Sequence, residues 1–250
     1  MSNTAAEDAA GPERGTLYLV PVALGEGAPW QSFLPAQAQA IAAGLRHFVV
    51  ETARAARAHL KQLDYPHPLR DTDIRELPED GPAAAAALDA LLAPALRGTD
   101  IGLMSDAGCP AVADPGARLV ARAHALGIRV APLVGPSSIL LGLMGSGLNG
   151  QSFAFHGYLP VGEAERDVAL RALEDESRRL GRTQIFIETP YRNERMLEAL
   201  LKLLKPDSRL CVACELNTAN EMLLTRSVRD WRRAERPALA KRPALFLLLA

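Results

Sequence analysis

Short apolar runs alternate with segments of helical periodicity through the first 135 residues, and this alternation most constrains the fold. The runs cover residues 16–24, 47–52, 100–105 and 128–135. They are apolar along their whole length instead of at every second position, which is typical of parallel strands covered on both faces. Helical segments between them fit βαβ crossovers. The pattern therefore predicts an α/β domain with a mostly parallel sheet.

The pattern changes after Gly135, where strand-like runs follow one another more closely around a long charged helical segment. This predicts a second α/β domain with a mixed sheet. We expect a flexible tail over 1–14, an N-terminal domain over 15–134 and a C-terminal domain over 135–250. The tail is small and acidic and lacks the apolar core of a signal peptide.

Composition limits the class of partner. The chain has 28 Lys and Arg against 29 Asp and Glu, a net charge of -1. This excludes a surface coated uniformly in positive charge for nucleic acid, but it permits a local basic patch. The five histidines do not cluster at ligand spacings, so no metal is predicted. The last apolar run is too short to span a membrane, so we expect no membrane partner and a cytoplasmic protein.

Cys211 and Cys214 have the spacing of a metal or redox pair, but they lie in an apolar, strand-like run. Residues three apart on a strand face opposite sides. A buried, reduced pair is therefore the favoured interpretation.

Four turn-forming stretches follow predicted strands, at 24–27, 51–54, 105–108 and 134–138. Ligands of open parallel sheets bind beyond the carboxyl ends of the strands, so these turns are candidates to line one crevice. The first turn is not GxGxxG and no Walker lysine follows, which disfavours a dinucleotide or a nucleoside triphosphate.

The turns offer acids and small residues instead. Glu26 and Asp106 would repel a pyrophosphate but suit ribose hydroxyls, an ammonium or a sulfonium. Ser137 and Ser138 open a predicted helix, whose free N–H groups favour a carboxylate. S-adenosylmethionine combines these groups without a phosphate. Two alternatives stay open: 105–108 is only a turn in which Asp106 caps the next segment, and Ser137 is only a helix cap.

An ordered set of stretches resembles the tetrapyrrole methylase superfamily of S-adenosylmethionine-dependent methyltransferases. The likeness is greatest to its branch of small-subunit ribosomal RNA ribose methyltransferases. The stretches are GTLYLVPVALG, SDAGCPAVADPG, PLVGPSS, SGLNGQSFAFHGYLP, FIETPYR and CELNTANE. The resemblance covers nearly the whole chain after the tail. It implies two α/β domains with the cofactor in a cleft between them, usually as a homodimer.

The resemblance also implies which residues bind the cofactor. By similarity these are Leu24, Ser105, Asp106, Ala107, Pro110, Ser137, Ser138, Glu188, Ala213, Glu215, Asn217, Pro243 and Ala244. The family pattern Glu-Asp-Thr-Arg reads Glu51-Thr52-Ala53-Arg54 here, and Glu-Leu-Thr-Lys reads Glu215-Leu216-Asn217-Thr218. The motifs on the cofactor side match the family pattern better than the motifs on the acceptor side. The resemblance therefore indicates the cofactor more firmly than it indicates the acceptor.

A hydroxyl acceptor benefits from a general base. Glu51 and Asp106 are the candidate catalytic residues, and His156 is a weaker one with a satisfied strand residue as its alternative. Arg54 and Arg57 are candidates to bind an acceptor phosphate or carboxylate. Their alternative is an ion-paired helix face with Glu51.

Two further features bear on the acceptor. Tyr191 and Arg192 follow a predicted strand end and are candidates to contact the acceptor, with a plain turn as the alternative. A basic run is the second feature, and it is either a phosphate-binding patch or a solvated helix and loop. Its members are Arg226, Arg229, Arg232, Arg233, Arg236, Lys241 and Arg242.

Three functions are compatible with these observations. The first is an RNA methyltransferase. The second is a methyltransferase of a tetrapyrrole or another anionic small molecule. The third is a non-catalytic module that binds S-adenosylmethionine.

Overall fold

The computed structural model describes residues 14–79, 81 and 83–250. Residues 1–13 of the predicted tail lie outside the described residues. The chain forms two compact units. Unit 1 takes in the chain up to Ala23 and Pro29–Pro136, and unit 2 takes in Leu24–Ala28 and Ser137–Ala250.

Unit 1 is built on a sheet of five parallel strands in the order β3-β2-β4-β1-β5. The strands are β1 Thr16–Leu19, β2 His47–Val50, β3 Asp73–Glu76, β4 Ile101–Met104 and β5 Arg129–Pro132. The helices between them are α1 Ala36–Gly44, α2 Ala53–Gln62, α3 Ala84–Leu96 and α4 Ala117–Ala125. The predicted α/β architecture with a parallel sheet is confirmed.

The apolar character of the unit 1 strands follows from their burial. All four residues of β4 are buried, since this strand lies at the centre of the sheet. Leu17, Ile101 and Leu103 belong to a cluster that also contains Leu92 of α3 and Leu119 of α4. The sequence did not predict β3, whose charged residues suit the edge of the sheet.

Unit 2 is built on a mixed sheet in the order β6-β7-β10-β8-β9. Its strands are β6 Phe153–Tyr158, β7 Thr183–Glu188, β8 Arg209–Cys214, β9 Met222–Ser227 and β10 Ala244–Leu249. Its helices are α5 Ser138–Ser146, α6 Glu163–Leu180, α7 Asn193–Leu203 and α8 Val228–Arg233. Only the β6–β7 pair is parallel, and the other three pairs are antiparallel. The predicted mixed sheet is confirmed.

The two faces of the unit 2 sheet are buried against different helices. Phe186 and Phe246 stack 5.7 Å apart in the cluster that includes residues of α6, α7 and α8. Cys211 belongs to the cluster on the α5 side, and Cys214 belongs to the opposite cluster. The prediction of buried, reduced cysteines on opposite faces is confirmed.

The described helices include none that is both long enough and apolar enough to cross a membrane.

Packing around Gly102 of β4 generates a stability prediction. A Cβ atom at this position would lie 2.7 Å and 2.8 Å from ring atoms of buried Phe48 and 3.0 Å from Leu45. We expect Gly102→Ala to lower the free energy of unfolding by about 1–3 kcal/mol, because a packed core has no room for the methyl group.

Gly44, the last residue of α1, is the matched control. A Cβ atom there would meet nothing within 4 Å, so Gly44→Ala should leave the stability unchanged or raise it by up to about 1 kcal/mol. Denaturant unfolding of the full chain measures both variants. Equal midpoints for the two would contradict the packing explanation.

Candidate functional site

Asp106 is held at the carboxyl edge of the unit 1 sheet by the segment that joins β2 to α2. Its Oδ1 accepts hydrogen bonds from the Thr52 backbone N–H at 3.2 Å and from the Thr52 hydroxyl at 2.9 Å. Its own N–H donates to Glu51 Oε2 at 3.0 Å. Its carbonyl oxygen lies 2.9 Å from His59 Nε2. The carboxylate is therefore oriented, and its Oδ2 has no hydrogen-bond partner among the described residues.

Local structure explains why this segment holds Asp106. Thr52 is the N-cap of α2, and its hydroxyl oxygen accepts from the Ala55 N–H at 3.3 Å. The Ala53 N–H donates to Glu76 Oε1 of β3 at 2.7 Å. Two N–H groups that a helix start leaves unpaired are thereby satisfied. The start of α2 is fixed to β3 and to the segment after β4.

Glu51 combines burial with nearby negative charge. Burial raises the pKa of its carboxyl group, and repulsion by Asp106 and Asp114 raises it further, against the lowering effect of the hydrogen bond from the Asp106 N–H. A carboxylate whose pKa is raised accepts a proton more readily than an ordinary one. The site therefore contains a proton acceptor beside a fixed carboxylate.

The loop after Asp106 is held by Asp114, which sequence reasoning missed. The Asp114 carboxylate accepts from the Ala111 N–H at 3.0 Å and 2.9 Å and from the Gly116 N–H at 2.7 Å. These bonds hold Ala111 and Ala113 in the left-handed region, with φ of 66° and 62°. Burial nevertheless raises the pKa of Asp114. The Asp-Pro-Gly sequence was the available signal, because Asp before Pro-Gly favours a turn closed by its own side chain.

Two other predicted residues of this loop are enclosed. Ser105 is 5% exposed, and its hydroxyl donates to the Ala107 carbonyl oxygen at 3.1 Å. Pro110 is buried. The neighbouring Cys109 thiol donates to the Pro136 carbonyl oxygen at 3.2 Å. Ala107, in contrast, is exposed.

Hydrogen bonds join two of the four predicted turns, 51–54 and 105–108. Residues 134–136 of the fourth turn lie in unit 1 with them, where Pro136 accepts from Cys109. Leu24 and Ser137–Ser138 belong to unit 2. Leu24 packs against the apolar cluster on the α5 side of that unit. Ser137 is the N-cap of α5, and its hydroxyl oxygen accepts from the Leu140 N–H at 3.5 Å. Ser137 therefore caps α5, and ligand contacts of Ser137 and Ser138 stay predictions.

Glu188, at the end of β7, is bound within unit 2. Its side chain is 3% exposed and forms an ion pair with Arg192 at 2.6 Å. The same oxygen accepts from the Thr189 N–H at 2.6 Å. Arg192 is therefore already paired with Glu188. It can make the predicted contact with the acceptor only while it also holds this ion pair. Tyr191 is 80% exposed.

The remaining predicted cofactor residues lie where β8 ends beside the start of β10. Ala244 pairs with Cys214, and the Glu215 N–H donates to the Pro243 carbonyl oxygen at 3.0 Å. Glu215 forms an ion pair with Arg242 at 2.7 Å. Glu215 and Asn217 have positive φ values of 48° and 61°. Ala213 is 1% exposed in the core, so its side chain is closed to a ligand.

Arg54 and Arg57 are exposed on α2. Neither forms an ion pair within the described part of the chain, and α2 contains no acidic residue. Glu51 accepts from Asp106 instead. The ion-paired interpretation of this helix face is therefore wrong. Around the helix axis Arg54, Arg57 and Lys61 fall within about 60° of one another, on the side opposite to His59.

Other candidate groups are engaged inside unit 2. His156 Nε2 lies 2.5 Å from Gln184 Oε1, which confirms the satisfied-strand interpretation of this histidine. In the basic run, Arg226 lies over the Trp231 ring at 5.0 Å. Arg232 donates to backbone carbonyl oxygens at the end of α7, and Arg236 lies 3.5 Å from Glu198. The first five arginines of the run therefore do not form a single unengaged patch.

Within the described ranges, no three His, Cys, Asp or Glu side chains converge as metal ligands would.

Comparison with known proteins places this site in context. Residues 19–230 match the model of the family described as Tetrapyrrole (Corrin/Porphyrin) Methylases. Among solved structures, the methyltransferase CobJ covers 94% of this chain, with 94% of its own length matched, 18% identity and a TM-score of 0.59. The uroporphyrin-III-C-methyltransferase from Thermus thermophilus covers 94% of this chain, with 92% of its own length matched, 18% identity and a TM-score of 0.54. These structures establish a shared fold.

Curated relatives match part of the chain more closely. Two proteins named Ribosomal RNA small subunit methyltransferase I are similar to it. The relative from Mesorhizobium japonicum is 38% identical over 60% of this chain and 48% of its own length. The one from Pseudomonas aeruginosa is 36% identical over 54% of this chain and 47% of its own length. The chain spans about half the length of the curated relatives it matches.

The raised pKa of Glu51 generates a prediction about pH. Because the folded state binds this proton more tightly, the carboxyl stabilises the fold most below its unfolded pKa, near 4.5. This stabilisation is lost as the pH rises through the folded pKa. Glu51→Gln keeps an oxygen that can accept from the Asp106 N–H but cannot ionise. Relative to the wild type, the variant should therefore gain unfolding free energy between about pH 4 and about pH 7.

Denaturant unfolding at the two pH values measures this difference. The pH dependence that Asp114 contributes is present in both proteins, so it cancels when the variant is compared with the wild type. A difference that stays constant or falls with rising pH would show that the Glu51 pKa is not raised in the folded state.

Proposed function

The chain belongs to the tetrapyrrole methylase family, and we propose that it is an S-adenosylmethionine-dependent methyltransferase that modifies a ribose 2′-oxygen of ribosomal RNA. The names of its curated relatives support the reaction and the acceptor. The observation that carries the proposal is the free Oδ2 of Asp106, which is fixed beside the half-buried Glu51 at the carboxyl edge of the parallel sheet. A cytoplasmic location and a homodimer are parts of the same proposal, and the exposed Leu140 and Met144 on α5 support self-association.

The residues of this edge suit the cofactor chemically. Asp106 offers a carboxylate oxygen to a ribose hydroxyl or to an ammonium group. Glu51, Asp106 and Asp114 together make the edge negative, which favours a cationic ligand and disfavours a phosphate. Gly108, with φ of 70°, has no side chain and allows close approach to the backbone. We propose that Ser105, Asp106, Ala107 and Pro110 contact the cofactor.

The unit 2 candidates are proposed as cofactor contacts on the family resemblance. Leu24, Pro243 and Ala244 would contribute through backbone or apolar contact, and Ala213, whose side chain is closed, through its backbone alone. The charged and polar candidates are Ser137, Ser138, Glu188, Glu215 and Asn217. Glu188 and Glu215 are each neutralised by an arginine, so we assign them to fixing the backbone beside the cofactor.

The chemistry divides between cofactor and protein. S-adenosylmethionine supplies a methyl group that is already activated by a positively charged sulfur. A ribose hydroxyl must lose its proton as the new bond from oxygen to carbon forms. Glu51 is proposed to accept that proton through Oε1, since Oε2 is bound to the Asp106 N–H. Asp106 is proposed to orient the ligand, and as a base it is the weaker candidate, because burial and neighbouring charge raise the pKa of Glu51.

Asp106→Asn tests the proposed cofactor contact. The asparagine oxygen can still accept from Thr52, but an amide NH₂ replaces the free carboxylate oxygen. We expect the variant to bind S-adenosylmethionine roughly ten- to hundredfold more weakly, as the loss of a charged hydrogen bond predicts. It should fold with unchanged stability, and it should transfer methyl label correspondingly more slowly when the cofactor does not saturate it. Isothermal titration calorimetry gives the affinity, and unchanged affinity would remove Asp106 from the site.

Transfer of methyl label to RNA from a strain that lacks this protein tests the acceptor. Incorporation at a ribose of the small-subunit RNA supports the proposal. Label confined to the small-molecule fraction would favour a tetrapyrrole or another anionic metabolite as the acceptor. Binding of the cofactor with no label in either fraction would favour a non-catalytic module.

The exposed cations of α2 are proposed to contact RNA phosphates. Arg54→Ala and Arg57→Ala should each weaken RNA binding. Each should also make the fall of log affinity with log salt less steep, by about 1 in the slope. Cofactor affinity should stay unchanged, because these side chains point away from the contacts with Asp106. Arg171→Ala, on the exposed surface of α6, is the control and should leave the slope unaltered. The same slope in all three variants would exclude α2 from the RNA contact.

A further inference from the structure

His59 is the one member of the Asp106 contacts that neither the sequence patterns nor the comparisons single out. It lies on α2 seven residues after the N-cap Thr52, which is about two helical turns. The two side chains therefore share one face of the helix. Because side chains of a helix lean towards its N-terminus, the imidazole reaches back to the loop after β4.

The contact fixes the role of the ring. Nε2 lies 2.9 Å from the Asp106 carbonyl oxygen, which can only accept. Nε2 must therefore carry a hydrogen and donate it. The buried face of α2, with Ala56 and Leu60, holds the helix on the sheet and so fixes the position from which His59 reaches.

The arrangement divides the anchoring of Asp106 into two parts. Thr52 holds the carboxylate through Oδ1. The main chain is held by Glu51 at the Asp106 N–H and by His59 at the carbonyl oxygen. A carboxylate held at its tip alone can still rotate with its backbone. Fixing both ends determines where the free Oδ2 points.

We propose that His59 is a positioning residue for the cofactor, acting through the backbone of Asp106. This inference rests on the proposed function, in which Asp106 Oδ2 binds S-adenosylmethionine. The ring does not contact the cofactor in this assignment. Its effect is to keep residues 105–108 in the conformation that presents Oδ2.

Two isosteric substitutions separate positioning from simple stability. In glutamine the amide nitrogen is three bonds from Cβ, as Nε2 is in histidine, whereas in asparagine it is two bonds away. His59→Gln should keep the hydrogen bond, and His59→Asn should lose it. His124→Asn on the exposed surface of α4 is the control for removing a histidine.

The first measurement needs no cofactor. Amide hydrogen exchange over residues 105–108 should be faster in His59→Asn than in the wild type, and near the wild-type rate in His59→Gln and His124→Asn. The second measurement is the affinity for S-adenosylmethionine. His59→Asn should bind on the order of fivefold more weakly, and loss of the hydrogen bond should lower its thermal midpoint by no more than about 4 °C. His59→Gln should restore the affinity.

The outcomes distinguish this inference from the proposed function. If His59→Asn binds S-adenosylmethionine as tightly as the wild type and exchanges the amide hydrogens of residues 105–108 at the wild-type rate, the positioning role is overturned. The proposed function then stays intact. Faster exchange without any binding of S-adenosylmethionine by the wild type would overturn the proposed function and the cofactor role with it. An equal loss of thermal stability and affinity in both His59 variants would assign His59 to folding alone.

Discussion

The parallel pairing of β2 with β4 is the constraint on which the candidate site depends. In this register Val50 lies beside Met104, and the Glu51 N–H continues the ladder to the Met104 carbonyl oxygen at 3.1 Å. The residues that follow both strands therefore leave the sheet side by side, which places Asp106 against Glu51 and Thr52. A slip of one residue would turn alternate side chains to the other face and separate these groups.

Part of this arrangement can be predicted from sequence. Apolar runs reveal β2 and β4, and the carboxyl ends of parallel strands meet at one edge, so Glu51 and Asp106 were expected at the same crevice. The order of strands is not visible in the pattern, and the hydrogen bonds between the two turns depend on it. His59 was missed for this reason, because its partner is a backbone carbonyl 47 positions away. The edge strand β3 was missed because its charges hide the strand pattern.

Unit 2 shows the same division between local and long-range information. The apolar runs of β8 and β10 were evident, and opposite faces for Cys211 and Cys214 followed from strand geometry. The ion pair of Glu188 with Arg192 was not anticipated, because the sequence shows both residues as available to ligands. The turn after β7 returns Arg192 to the glutamate four residues earlier, and the charges that seemed free neutralise each other.

The two left-handed alanines beside the site restrict which sequences this loop can accept. An L-residue in this conformation costs about 1–2 kcal/mol, which the three hydrogen bonds to Asp114 offset. Glycine or asparagine fits positions 111 and 113 without added strain, whereas a β-branched residue does not. The small residues at these two positions are thus a requirement of the backbone, and they carry no information about the ligand.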